Sequence, residues 1–95
     1  MFIVLLRFST NRDKAGAFMD AHREWITRGF EDGVFLLAGT LQPGVGGGIV
    51  AGNTSRADLQ ERVNDDPFVA AEVVSAEILE MAPSRAAEQF QFLLA

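Results

Sequence analysis

The chain has 95 residues, room for one domain and none for a separate cofactor-binding unit. Eight lysines and arginines against thirteen acids give a net charge of −5 with no basic cluster, which argues against nucleic-acid binding. The absence of cysteine excludes disulfides, thiolate chemistry and Cys-based zinc sites, and a single histidine excludes multi-histidine metal motifs.

Hydrophobic residues make up 48% and charged residues 22%, a balance that suits a packed globular domain and is too apolar for a disordered chain. So small a core gains from burying a further face, which favours a homodimer. The apolar start lacks a basic leader segment, and no apolar run approaches the ~20 residues of a membrane span. The expectation is a cytoplasmic protein without a membrane partner.

Residues 2–8 are a continuous run of strand formers broken only by Arg7, as expected of a strand covered on both faces. A polar loop follows over 9–13. From 14 to 31 the apolar residues recur at Phe18, Ala21, Trp25, Ile26 and Gly29, within an arc of about 140°, which predicts an amphipathic helix closed by Asp32-Gly33. Residues 34–41 read as a second strand and 48–51 or 48–52 as a third. The connection 42–47 carries Pro43 and several glycines and is too short for a crossover helix, so the pair is a hairpin and antiparallel.

Ser55, followed three residues later by Asp58, caps a second helix bearing Ala57, Leu59 and Val63. Asp66-Pro67 combines an N-cap with a first-turn proline and opens a short helical turn running to Ala71. A fourth strand spans 73–81, and Pro83 ends it. The order βαββαβ defines an α+β, ferredoxin-like domain over residues 1–82: a four-stranded antiparallel sheet with two helices on one face. Apolar residues on both sides of the first strand imply that the open sheet face packs against a second copy. Residues 83–95 form a tail with Phe90, Phe92, Leu93 and Leu94, expected as a short terminal helix or a subunit-crossing arm.

Gly46-Gly47-Gly48-Ile49-Val50-Ala51 spells GxGxxA, but a strand follows where a phosphate-binding helix would have to begin, so the stretch reads as hairpin. His22 carries more information. It lies about 40° from Phe18 on the helical wheel, inside the apolar arc, while Asp20, Arg23, Glu24 and Glu31 face away. Position alone allows two readings: a core histidine satisfied by a backbone carbonyl, or an imidazole placed for chemistry. Asp66 is the carboxylate that the topology can bring near it, although helix capping by itself accounts for an Asp before Pro.

Secondary candidates surround this pair. Arg7, alternating with Ile3 and Leu5, could hold an anionic or phenolic group or simply end the strand in solvent. Gly39 and Thr40 could admit and hydrogen-bond a ligand or only shape the strand end. Trp25 and Phe68 could wall an aromatic pocket or pack the core. Ser9, Ser55 and Ser75 have only His22 to recruit for a serine triad. His22, Asp65 and Asp66 lack any recognisable metal-ligand spacing, so neither a metal nor a cofactor is expected.

In Ala21-His22-Arg23-Glu24-Trp25, Ala38-Gly39-Thr40 and Asp66-Pro67-Phe68-Val69, in that order and spacing, the chain resembles the YCII-related (YciI-like) proteins. The resemblance covers residues 1–82 and leaves the tail outside. It implies a dimeric α+β barrel of ferredoxin-like subunits and a site built around a His–Asp pair, carried here by His22 and Asp66. Dehydrochlorinases of chlorinated hydroxyhydroquinones are the precedent for its chemistry, an elimination without cofactor. The expected function is general acid/base catalysis on a small molecule, aromatic as in the precedent; the alternative is a binding or regulatory module that keeps the pocket without turnover.

Overall fold

Alternation along the first strand decides which side of the sheet the helices take. Phe2, Val4 and Leu6 are buried while Ile3 and Leu5 remain half-exposed, so the even-numbered side faces the helices. In the computed structural model, which describes residues 1–94, the elements run β1 (Phe2–Phe8), α1 (Ala15–Glu31), β2 (Phe35–Leu41), β3 (Gly46–Ala51), α2 (Arg56–Asn64), α3 (Pro67–Ala70) and β4 (Val74–Glu80). The strands pair antiparallel in the order β2-β3-β1-β4, the ferredoxin-like α+β arrangement read from the sequence.

One core lies between the sheet and the helices. Trp25 of α1, Leu59 and Val63 of α2 and Phe68 of α3 meet Phe2, Val4 and Leu6 of β1 and Phe35 of β2. Gly29 lets α1 settle directly on Phe35, because a Cβ there would enter the phenyl ring. Ala21, at the margin of the apolar arc, is exposed, and the burial concentrates on Trp25 and Gly29 at the arc's centre. Ser55 caps α2 as expected, its hydroxyl accepting the Asp58 N–H at 3.1 Å.

The third strand begins earlier than the sequence indicates. Gly46 and Gly47 belong to β3 and pair with Arg7 and Leu6, leaving a loop of only residues 42–45. Glycine is a weak strand former, so composition reads this stretch as loop; pairing with a strand on each side recruits it. Gly46 is obligatory, with φ +147° and no space for a Cβ against the Leu6 carbonyl.

The tail forms a 3-10 helix over Glu88–Leu94, with Ala95 outside the described residues. Phe92 and Leu93 sit beside Met1, Leu36 and Gly52, at the end of the sheet where β1 starts. The sheet face away from the helices carries Ile3, Leu5, Leu37, Val50 and Leu79, with Leu37 64% exposed. None of the described helices is long and apolar enough to cross a membrane.

Candidate active site

The segment joining α2 to β4 is built tightly. Asp66, extended at φ −60° and ψ 123°, is the N-cap of α3, and its Oδ1 accepts the Phe68 N–H at 3.0 Å. Pro67 fills the first helical position, where no N–H is needed. At the other end of α3, the Val73 N–H returns to Phe68 O and the Glu72 N–H to Val69 O, a Schellman closure. Glu72 takes the left-handed conformation there, φ +60°, where glycine is usual.

Asp66 is fully buried, and the same Oδ1 lies 2.7 Å from His22 Nδ1. Because a carboxylate can only accept, Nδ1 is assigned as the donor, and a neutral ring then leaves Nε2 as its acceptor. The Phe68 ring lies flat on the imidazole, centroids 4.0 Å apart and planes 5° apart, and Trp25 stands on a second side at 5.8 Å. His22 is thus held at one edge and over its ring face while its side chain stays 12% exposed. The second carboxylate oxygen, Oδ2, is buried and has no hydrogen-bond partner among the described residues.

His22 and Phe68 line a cleft of about 400 Å³ between α1 and the β1–β3–β2 part of the sheet, within the ~300–1,000 Å³ of small-molecule sites. Met19 and Ile26 extend along α1 on either side of the histidine, with Leu6, Ile49 and Val74 opposite. Ala38, Thr40 and Gly47 put little or no side-chain bulk on the helix side of β2 and β3, and that is why the cleft exists there.

The candidates sort cleanly against this cleft. His22, Asp66 and Phe68 come together, and Gly39 and Thr40 lie along its wall. Arg7 does not reach it: the side chain is on the opposite sheet face, half-exposed and paired with Glu77 at 2.8 Å. Trp25 does not line it either; it is buried in the core and its Nε1–H donates to Arg62 O at 2.9 Å. Ser9, Ser55 and Ser75 are likewise absent from its lining. Among the described residues no group of three or more His, Asp or Glu is placed to hold a metal ion. Arg23, which the helical wheel turns away from the apolar arc, nevertheless borders the cleft mouth. At 60° beyond Ile26 on an ideal wheel, about a residue's width past the apolar arc, a long side chain reaches back over it.

Fold and site together define a ferredoxin-like α+β domain with a histidine–carboxylate pair set in the wall of a mainly apolar cleft. Residues 1–82 match the YCII-related domain, and the chain belongs to that family. Its fold is similar to that of 5-chloro-2-hydroxyhydroquinone dehydrochlorinase (TftG) from Burkholderia phenoliruptrix AC1100, solved in complex with 2,5-dihydroxybenzoquinone. The TM-score is 0.68 at 13% identity, covering 85% of this chain and 93% of that one. A search of curated proteins finds no match.

Proposed function

We propose that this protein is a cofactor-independent acid/base enzyme that carries out a lyase-like elimination on a small planar molecule, with His22 and Asp66 as its working pair. The observation that carries the reading is the 2.7 Å contact between His22 Nδ1 and buried Asp66 in the wall of the cleft. A carboxylate at Nδ1 fixes the tautomer and stabilises the imidazolium that forms when Nε2 takes a proton. In the elimination, which runs on the diketo tautomer of a hydroxylated ring, Nε2 removes a proton from the tetrahedral carbon beside a carbonyl, the C–H electron pair becomes the new C=C bond, and the leaving group on the neighbouring tetrahedral carbon departs with its own bonding pair. The protonated ring then returns its proton to solvent. The dehydrochlorinase named above supports this reaction class, and its ring-sized ligand matches the scale of the cleft.

The same reading makes the working form a homodimer in the cytoplasm, formed through the apolar outer sheet face. Ile3, Leu5, Leu37, Val50 and Leu79 give that face the character of a subunit contact, and a second copy of the same face completes it isologously. Sedimentation at micromolar concentration yielding a dimer, and a monomer for Leu37→Glu, is the expected result. A monomeric native chain overturns it.

The direct test of catalysis is chloride release from 5-chloro-2-hydroxyhydroquinone and its halogenated relatives, comparing the native chain with His22→Gln. Turnover that falls by about 10²–10⁴ in the variant is the expected outcome. A ligand that binds, raises the melting temperature and is recovered unchanged would instead identify a binding module.

A further inference from the structure

The polar equipment of the cleft is one-sided. Thirteen acidic residues give the chain its net charge of −5, yet none of them lines the cleft; Asp66 stands behind His22. Of the polar side chains that do line it, Thr40 and Arg23 can donate, while neutral His22, its Nδ1–H given to Asp66, presents only the uncharged acceptor Nε2. The other helical and strand arginines are committed: Arg7 to Glu77, Arg28 to Glu24, Arg62 to Asp32 and Arg56 to the Ile78 carbonyl. Arg12 lies over the Phe8 ring and reaches Gly44 O. Arg23 has no hydrogen-bond or ion-pair partner for its guanidinium among the described residues, and it is the arginine at the cleft mouth.

We propose that the cleft takes a planar anion, its charge on a carboxylate, phenolate or enolate oxygen, and that Arg23 is the residue that selects for that charge. Arg23 follows His22 on the same helix, so a ring lying along Ile26 and Ile49 presents its oxyanion to the guanidinium while a ring carbon faces the imidazole. The apolar walls weaken solvent screening there and favour a charge-assisted hydrogen bond over a water contact. In the elimination proposed above, on which the catalytic side of this inference rests, the oxygen that gathers charge as the proton leaves carbon is the one Arg23 meets.

The test uses benzoate and benzamide, matched in shape and differing in charge, titrated into the full chain by amide-resonance NMR. Native protein is expected to bind benzoate at least tenfold more tightly than benzamide, with shifts at Thr40 and Gly47. Arg23→Gln is expected to bring that ratio close to one while leaving benzamide unchanged, and Arg85→Gln in the tail to leave the ratio intact. Equal binding of the two probes by native protein, or an undiminished ratio in Arg23→Gln, overturns the assignment of Arg23 and leaves the His22–Asp66 reading standing. No binding of either probe overturns both the charge preference and the cleft as a ligand site. Loss of chloride release in His22→Gln with the benzoate preference retained supports both roles, each by its own measurement.

Discussion

The Phe68 ring lies parallel to the His22 imidazole at 4.0 Å, and the Phe68 backbone N–H is bonded to the same Asp66 oxygen that receives His22 Nδ1. One three-residue turn therefore fixes the imidazole in two independent ways, by its edge and by its face. Such stacking is worth about 0.5–1.5 kcal/mol beyond area burial. Phe68→Leu is expected to cost about 1–3 kcal/mol in thermal denaturation, counting the smaller side chain. The His22 carbon-bound protons, shielded by the ring above them, should move downfield in the variant's NMR spectrum.

Asp66 has a structural and an electrostatic task, and two substitutions separate them. Asp66→Ala removes the cap of α3 and is expected to destabilise by about 0.5–2 kcal/mol from that loss alone. Asp66→Asn keeps a capping oxygen and the volume, so its loss of stability should be smaller, while turnover falls as in the alanine variant because the charge that fixes the imidazole is gone. Long-range nitrogen–proton NMR of His22 provides the check: one Nδ1–H tautomer in the native protein, a mixture in Asp66→Asn.

Adjacent glycines in β3 predict opposite outcomes. At Gly47 a Cβ would meet only the Gly39 carbonyl oxygen, at 3.5 Å, and would point to the cleft side. Gly47→Val should leave stability unchanged or raise it by about 0.5–1 kcal/mol, since valine suits a strand, and abolish ligand binding. Gly46→Ala would drive its Cβ into the Leu6 carbonyl from a backbone at φ +147°, so a loss of about 1–3 kcal/mol or more is expected. Denaturant titration of the two variants side by side reads the contrast.

Glu72 ends α3 in a left-handed conformation that costs a non-glycine residue about 1–2 kcal/mol, partly offset in any comparison with glycine by the latter's greater chain entropy. Glu72→Gly is expected to stabilise by about 0.5–1 kcal/mol, which for a domain of this size raises Tm by roughly 2–8 °C. An unchanged or lower Tm would mean that the Glu72 side chain contributes more than the strain it carries.

Periodicity made the framework legible: strand, helix and cap signals marked the four strands and α1 to α3, because each local preference there agrees with the fold that uses it, while the 3-10 turn at Arg12–Lys14 carries no such signal. The approach of His22 to Asp66 was legible only as a possibility, since 44 residues separate them and only the shared sheet face brings α1 beside α3. Arg7 shows the limit of strand alternation, which assigns a face but not the face that holds a cleft. Trp25 lies on the His22 side of α1 and was a fair candidate from the wheel, but its indole N–H is spent on the Arg62 carbonyl. Arg23 escaped because a helical wheel places Cβ atoms, and a guanidinium acts about a helical turn away from its own.

The floor of the cleft at Gly47 is main chain, held in register by strands on both sides. It has no rotamer to turn aside for a bulkier guest and no atoms that mutation could trim. Every substitution at that position adds volume, so change there runs in one direction, toward smaller guests or none. A broader ligand range would have to come from the mobile side chains across the gap, Met19 first among them, whose unbranched thioether can be reshaped or shortened. Divergence of this site is thus expected to be written on the helix and not on the sheet.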